Sequence, residues 1–227
     1  MHIAACTNSV QALKEMWEWV EIAHLNKREI KNEFLLAQDR LGEIALQKAA
    51  FGGSLEAIEA MWSSVKKVEI NRDEFLLART EKGSRALHMA EYGNRVEVLT
   101  MIWDCAEEAQ LNSIDLKKRM FLAEGFDGHT AWHCPALYES LEALEIIWSL
   151  AKEVDLKPDE LLLSQVEEGY TALHLAARKN RVVILEKLWF WTEEAEVNAN
   201  ELKKKLLLAK DDEGYTVWHR AAKFGNL

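Results

Sequence analysis

Residues 169–180 read GYTALHLAARKN, and several further segments of the 227-residue chain follow the same pattern. The clearest copies are GHTAWHCPALYE (128–139) and GYTVWHRAAKFGN (214–226); weaker ones are GSRALHMAEYGN (83–94) and GEIALQKAAFGG (42–53). The glycines that open these segments are 41, 45, 41 and 45 residues apart. A motif that recurs at a spacing of this size indicates a solenoid of stacked repeats.

The opening glycines divide the chain into repeats of alternating length. The repeats cover about 1–41, 42–82, 83–127, 128–168 and 169–213, with a partial one at 214–227. The chain start, MHIAACTN, fits the same pattern when His2 is aligned with the histidine of the other copies. We therefore expect a single array over 1–227, which is an excerpt of a longer array or a shortened chain with frayed ends.

Each repeat predicts helices only, so the expected fold class is an all-α solenoid. A short segment with paired alanines follows the glycine, and a longer amphipathic segment such as RVVILEKLWFWTEEA (181–195) comes next. A third helix is indicated by start signals. These signals are an asparagine followed three residues later by an acid, at Asn26, Asn71, Asn112 and Asn198, and a first-turn proline at Pro158. The four-residue difference between long and short repeats falls in this third helix and equals about one turn.

The recurring TALH-type stretch, followed by paired alanines, resembles the ankyrin-repeat family. The resemblance rests on Thr130 to His133, Thr171 to His174 and Thr216 to His219, and the pattern recurs in register along essentially the whole chain. Two features depart from the family pattern: alanine or valine follows the threonine instead of proline, and each repeat is 8 or 12 residues longer than the usual ~33. HEAT-like repeats have a nearer period but lack the glycine turn, so they are the weaker interpretation.

The composition excludes several classes of protein. A net charge of −10 disfavours nucleic acid as the main partner, because a phosphate-backbone binder needs a positive field. No apolar run approaches the ~20 residues of a membrane span, and no signal-peptide pattern follows Met1. Cys6, Cys105 and Cys134 are scattered, which fits a reducing, cytoplasmic location.

The tryptophans and histidines fall in columns of the repeat, so we interpret them as structural. One tryptophan column contains Trp17, Trp62, Trp103, Trp148 and Trp189; two others pair Trp132 with Trp218 and Trp19 with Trp191. A ladder of this kind predicts indoles that bridge adjacent helices. The histidine column contains His2, His88, His133, His174 and His219. The ankyrin resemblance implies that this histidine ties turn backbone to neighbouring turn backbone. No metal, cofactor or catalytic motif is recognisable, and we expect a protein that is not an enzyme.

Two irregular positions and a basic pattern also stand out. Glu91 lies in an alanine column, and Pro135 lies inside the first helix of its repeat. We interpret both as substitutions that the repeat tolerates, or as the cause of a local bend. The long repeats carry cations on their extra turn: Lys31; Lys117, Lys118 and Arg119; Lys203, Lys204 and Lys205. These cations either offer a basic edge to an acidic surface or offset neighbouring glutamates on a solvated helix face, and the second interpretation is favoured.

The leading functional prediction is a non-catalytic scaffold that binds a protein partner through the concave face of the array. The ankyrin resemblance implies that recognition residues lie beside the glycine and after the paired alanines. The candidates are Phe51, Tyr92, Leu137, Tyr138, Tyr170, Arg178, Lys179, Tyr215 and Phe224. Acidic turns cluster toward the C-terminus, which favours a basic or mixed-charge partner: Glu167, Glu168, Asp211, Asp212 and Glu213.

A structural or regulatory spacer in a larger protein, such as a channel, enzyme or secreted effector, is the alternative to the scaffold. In that case the activity lies outside this chain. A transmembrane or catalytic region in flanking sequence would favour the spacer. An intrinsic enzyme ranks third, because it requires a pocket with convergent polar groups. We expect the chain itself to be a monomer.

Overall fold

The computed structural model describes residues 1–22, 27–68, 71–109, 118, 120–125, 128–194 and 199–225, and of Lys27 and Arg28 only the backbone. The described residues form helices and turns, with one isolated antiparallel bridge between Glu124 and Thr130. The predicted all-α solenoid of helical repeats is confirmed. Asn26, Asn112, Asn198, Lys117 and Arg119 lie outside the described residues.

The chain divides into two compact units, Met1–Leu116 and Lys117–Leu227, hereafter unit 1 and unit 2. A single array through both units stays a prediction. The helices of unit 1 are α1 (His2–Cys6), α2 (Val10–Ile22), α3 (Lys27–Leu36), α4 (Ala45–Gly52), α5 (Leu55–Lys66), α6 (Arg72–Leu76), α7 (Ala86–Tyr92) and α8 (Val96–Glu108). Those of unit 2 are α9 (Cys134–Tyr138), α10 (Leu141–Glu153), α11 (Pro158–Leu162), α12 (Ala172–Arg178), α13 (Val182–Trp191), α14 (Ala199–Leu208) and α15 (Val217–Lys223).

Within each unit, equivalent helices of successive repeats pack side by side. The first helices α1, α4 and α7 stack in unit 1, and α9, α12 and α15 stack in unit 2. The second helices α2, α5 and α8 form a further layer in unit 1. Small alanines allow the close approach: Ala49, Ala50 and Ala90 in unit 1 and Ala136 and Ala176 in unit 2 are fully buried.

The predicted third helix is present in the four repeats where the structure gives its bounds, and its length differs between long and short repeats as expected. In the long repeats α3 and α14 contain 10 residues each, whereas α6 and α11 in the short repeats contain 5. The side chain of Asn71 accepts hydrogen bonds from the backbone N–H groups of Asp73 (3.1 Å) and Glu74 (3.4 Å), which is the predicted N-cap. Pro158 occupies the first turn of α11, as predicted.

In the first, second and fourth repeats, the residue at the histidine position ties the first helix to the end of the third helix. His133 Nε2 donates to the carbonyl oxygen of Ser164 at 3.1 Å, and His2 Nε2 lies 2.9 Å from the carbonyl oxygen of Ala37. Gln47 takes the histidine position in the second repeat and makes the same bridge, because its Nε2 donates to the carbonyl oxygen of Ala78 at 2.8 Å. These contacts agree with the backbone-tying role that the ankyrin resemblance implies.

The main tryptophan column bridges neighbouring second helices where a short repeat meets the next long one. Trp62 Nε1 donates to a carboxylate oxygen of Glu108 at 2.8 Å, and Trp148 Nε1 donates to Glu194 at 3.4 Å. Trp132, Trp148 and Trp191 form a buried cluster in unit 2, with the last two rings stacked 4.3 Å apart. Column membership alone does not fix burial, since Trp19 and Trp218 are largely exposed.

Two of the described cations of the long repeats, Lys31 and Lys203, form ion pairs within the chain. Lys31 Nζ lies 3.1 Å from Glu21 and 5.3 Å from the Trp17 ring centre. Lys203 repeats this arrangement with Glu193 and Trp189, at 2.9 Å and 5.3 Å. The structure therefore supports the interpretation that these two lysines offset nearby glutamates.

Pro135 shortens the first helix of the fourth repeat. Helix α9 begins at Cys134, whereas α12 begins at Ala172, three residues earlier in the repeat frame. Proline has no backbone N–H and therefore cannot complete a helical bond to the preceding turn. Residues 131–133 form a turn instead, so the irregularity is a late helix start. Glu91, the other irregular position, is buried in α7.

Candidate functional site

In unit 2, aromatic and basic side chains that the sequence singled out lie at the ends of the first helices. We call Tyr138, Arg178, Lys179 and Phe224 the unit 2 face; Tyr215 is half-buried in the turn before α15. Tyr138 ends α9, Arg178 ends α12 with Lys179 directly after it, and Phe224 follows α15. Because these helices stack side by side, their ends lie along one edge of the unit. Tyr138 is 51% exposed and Phe224 is 46% exposed, so both rings are available to a partner.

Arg178 connects two rings of this surface. Its guanidinium carbon lies 5.5 Å from the ring centre of Phe224 and 5.5 Å from that of Tyr170. A guanidinium between two aromatic faces is held by cation–π attraction, which restricts its rotamers before any partner arrives. Preorganised side chains lose less conformational entropy on binding than free ones. The Arg178 guanidinium is therefore held in a restricted geometry at this edge.

A buried ion pair fixes the turn beneath the unit 2 face. Arg220 Nε donates to Asp211 Oδ2 at 2.5 Å, and both side chains are almost completely buried. Asp211 Oδ1 also accepts from the backbone N–H groups of Glu213 and Tyr215, each at 3.0 Å. Burial opposes ionisation of Asp211, but the hydrogen bonds from Arg220 and the Tyr215 backbone outweigh it and hold its pKa below the ordinary value.

The Arg220 guanidinium also organises two tyrosines. Its central carbon lies 4.8 Å from the ring centre of Tyr170 and 4.8 Å from that of Tyr215. The Lys223 ammonium lies on the Tyr215 ring as well, at 4.8 Å. Sequence reasoning missed Arg220, although a signal was present. An acid precedes a cation by nine residues both at Asp211 and Arg220 and at Asp39 and Lys48, and the second pair is also in contact, at 3.0 Å.

Tyr170 differs from the other candidates because it is buried. Its side chain is 3% exposed and lies between Arg178 and Arg220. Burial raises the pKa of its phenol, although the two guanidinium groups act in the opposite direction. A direct contact between Tyr170 and a partner does not fit this burial. The geometry instead makes Tyr170 a support on which Arg178 is positioned.

The remaining candidate residues differ in the solvent exposure of their side chains. Leu137 is half-buried in α9, beside the exposed Tyr138. In unit 1, Phe51 is exposed at the end of α4 and Tyr92 is half-buried at the end of α7. Arg95 Nε donates to the carbonyl oxygen of Phe51 at 3.3 Å, which links the turns after these two helices. Unit 1 therefore has its own smaller pair of aromatic candidates.

The acidic turns are less uniform than the sequence suggested. Asp211 is buried in its ion pair, and Glu213 contacts Arg220 Nη2 at 3.3 Å and Lys223 Nζ at 3.2 Å. Glu167, Glu168 and Asp212 are exposed. The acidic character of these turns therefore rests on three side chains and not on five.

The buried histidine of the fourth repeat is engaged in structural contacts. Thr130 Oγ1 lies 2.7 Å from His133 Nδ1, so both imidazole nitrogens of this buried histidine are used in the repeat. Burial lowers the pKa of His133 to about 3, with a smaller contribution from His129. Within the ranges described, no group of three or more histidine, cysteine, aspartate or glutamate side chains could hold a metal ion.

Comparison with known families identifies one repeat directly. The family model described as Ankyrin repeat matches residues 168–201, which include α12 and α13. The chain contains an ankyrin repeat. The family predicted from the TALH pattern is thereby supported, and the ankyrin repeat at 168–201 includes Tyr170, Arg178 and Lys179 of the candidate set.

A solved structure shares the fold. This chain is similar to a chain in the complex of the Bd0816 predatory endopeptidase from Bdellovibrio bacteriovorus with immunity protein Bd3460. The TM-score is 0.67 and the identity 20%, with 99% of this chain and 91% of that chain covered. Among curated proteins, the comparison found no match. Of the helices that the structure describes, none has both the length and the apolar character needed to cross a membrane.

Proposed function

We propose that the protein is a non-catalytic protein-interaction scaffold, and that unit 2 binds its partner along the edge formed by the ends of α9, α12 and α15. The repeat pattern predicts this edge to lie on the concave side of the array. The observation that carries the proposal is the alignment of Tyr138, Arg178 and Phe224 on three stacked first helices. Tyrosine, phenylalanine and arginine are typical of interface cores, and tyrosine and arginine of hot spots.

The rigidity of this edge supports a binding role. Arg178 is held between the rings of Tyr170 and Phe224, and Arg220 anchors the turn through Asp211. Side chains held in place in this way can form contacts without a large ordering cost. Stacked helical repeats also provide an extended surface that suits a protein partner better than a small molecule.

Charge suggests how the partner is oriented. Lys179 is exposed beside Arg178, whereas Glu167, Glu168 and Asp212 are exposed in the turns. The helix ends are thus basic and the turns acidic. We infer a mixed-charge partner, with acidic groups against the helix ends and basic groups against the turns.

The comparisons agree with a role of this kind. Ankyrin repeats are the matched family, and the solved neighbour comes from a complex of two proteins, an endopeptidase and an immunity protein. In the described residues, the buried histidines serve the repeat framework, which supports a scaffold without catalysis. Cys6, Cys105 and Cys134 are not joined in a disulfide, which is compatible with the cytoplasmic location that the proposal includes.

Affinity capture with paired variants tests the proposal. Immobilised wild-type chain is compared with the double variant Tyr138→Ala/Phe224→Ala, which removes two exposed rings without opening a buried cavity. A matched control, Val183→Glu/Phe190→Ser, removes two exposed apolar side chains from α13. We expect a partner protein that the wild type and the control retain and the double variant loses. A partner retained equally by all three proteins would exclude this edge as the binding surface.

A further inference from the structure

The second helix of the fifth repeat, α13, carries apolar side chains where the other second helices are polar. Alignment of these helices on the main tryptophan column gives the equivalent residues. The position of Val183 is held in the other repeats by Gln11, Glu56, Glu97 and Glu142. The position of Phe190 is held by Glu18, Ser63, Asp104 and Ser149. Two polar columns therefore become apolar in α13 alone.

The positions of these two side chains are open to solvent in other repeats as well. Val183 is 51% exposed and Phe190 is 54% exposed. Within unit 1, α5 packs between α2 and α8, and there Glu56 is exposed and Ser63 is half-buried. A second helix that is packed on both sides therefore leaves these two positions at least partly open to solvent.

The exposed side of α13 is a short stripe with a simple order of side chains. Val183, Glu186, Lys187 and Phe190 are spaced as i, i+3, i+4 and i+7, which places them along one side of an α-helix. The stripe has an apolar residue at each end and one charge of each sign in the middle. We call these four residues the α13 stripe.

We propose that the α13 stripe binds the α13 stripe of a second copy of this chain, with the two helices antiparallel about a two-fold axis between Glu186 and Lys187. In this arrangement Val183 of each copy packs on Phe190 of the other. Glu186 of each copy meets Lys187 of the other. Symmetric pairing of this kind requires that each residue and its counterpart be mutually complementary.

Charge complementarity decides in favour of a second copy. If the two central residues carried the same sign, the antiparallel arrangement would place like charges together, which is unfavourable. Lys187 Nζ lies 2.5 Å from Glu145 on the neighbouring helix α10 and 5.9 Å from the ring centre of Phe190, so Glu186 of the second copy would share this ammonium with Glu145. The cation therefore lies beside the ring that the second copy covers.

The small size of the α13 stripe determines how strongly two copies are expected to associate. Four residues spanning about two helical turns bury far less than the ~1,200 Å² of a standard stable interface. We therefore expect a dissociation constant on the order of 0.1–1 mM, so that the chain is a monomer in dilute solution and a dimer where it is concentrated. The inference is independent of the proposed partner-binding edge, which uses other residues.

Sedimentation equilibrium from about 10 µM to 1 mM tests the proposal. The wild type is compared with Val183→Glu/Phe190→Ser, which restores residues that other repeats carry at these exposed positions and therefore keeps the fold. We expect concentration-dependent dimers of the wild type and at least a tenfold weaker association of the variant. A wild type that stays monomeric to 1 mM, or a variant that dimerises equally well, overturns the proposal.

Charge-swapped variants test the antiparallel register. Glu186→Lys and Lys187→Glu each place like charges across the two-fold axis, so each alone should dimerise less than the wild type. An equimolar mixture of the two restores both opposite-charge pairs and should form heterodimers. Mixing that gives no more association than either variant alone overturns the proposed register. Circular dichroism of each variant shows that the helices are intact.

Discussion

The buried histidine of the fourth repeat should make the stability of the protein depend on pH. His133 is fully buried, and burial lowers its pKa from 6.5 to about 3. In the unfolded chain the same imidazole titrates at its ordinary value. Between these two pH values the unfolded chain therefore binds a proton that the folded protein does not, and folding becomes less favourable as the pH falls.

The size of this effect follows from the two pKa values. One pKa unit corresponds to about 1.4 kcal/mol, so lowering the pH from 7 to 5 removes about 2 kcal/mol of unfolding free energy through His133. The sign is fixed, since the contribution is complete above pH 6.5 and is lost progressively as the pH falls toward 3. Burial lowers the pKa of His174 as well, so this second histidine adds to the loss in the same direction.

The variant His133→Gln isolates this contribution. Glutamine occupies the equivalent position in the second repeat, where the Gln47 side chain accepts from the backbone N–H of Ile44 at 2.7 Å and donates to Ala78 at 2.8 Å. It can therefore keep the bridge to Ser164 without a titrating group. Other titrating residues are the same in both proteins, so their contributions cancel when the two are compared.

Urea denaturation at pH 5, 6 and 7, followed by far-ultraviolet circular dichroism, measures the effect. The wild type should lose about 2 kcal/mol more than His133→Gln between pH 7 and pH 5, whatever their difference at pH 7. Equal losses in the two proteins would refute the reasoning, because they would show that His133 is not buried in its neutral form.

Three further changes should separate the buried framework from the exposed surface in denaturation experiments. Arg220→Ala should cost about 3–5 kcal/mol, because it leaves a buried carboxylate without its cation; a loss below about 1 kcal/mol would contradict the buried pair. Trp148→Ala should cost about 3–5 kcal/mol through the cavity it leaves beside the stacked indole, whereas Trp218→Ala, at a position 62% exposed, should change stability by less than about 1 kcal/mol. Gly169→Ala should cost more than Gly214→Ala, because both glycines have positive φ but only at Gly169 would the added Cβ lie within 3 Å of neighbouring atoms; equal losses would show that the close approach carries no cost.

The features that recur from repeat to repeat were predictable from the sequence, because several copies of the repeat carry the same residue type at the same position. The alternation of 41 and 45 residues located the length change in the third helix, and α3 and α14 are longer than α6 and α11. The histidine bridge likewise recurs, and Gln47 makes the same contact where histidine is replaced. Features of this kind depend on the length and the register of the repeats, and the spacing of the opening glycines gives both.

Features that depend on neighbours were not predictable in the same way. Trp132 and Trp218 share a column, yet Trp132 is fully buried against Trp148 and Trp191, while Trp218 is exposed. No second helix follows α15 in the part of the chain that the structure describes. Burial therefore reflects the side chains that surround a position and cannot be derived from column membership.

The candidate surface was predicted only in outline. The positions after the paired alanines do carry exposed rings at Tyr138 and Phe224, but Tyr170 is buried between two guanidinium groups. It packs against Arg220, which lies in a column that holds Leu175 in the preceding repeat and Lys48 in the second. The residue at this one position therefore helps to decide whether the ring is available to a partner.

Cross-linking mass spectrometry with the captured partner tests the central claim most directly. If the partner binds the edge formed by the ends of α9, α12 and α15, an amine-reactive reagent should join it to Lys179 and Lys223. Lys204 and Lys205, exposed on α14, should react with the reagent without joining the partner. Cross-links confined to Lys204 and Lys205 would contradict the assignment of binding to the unit 2 face.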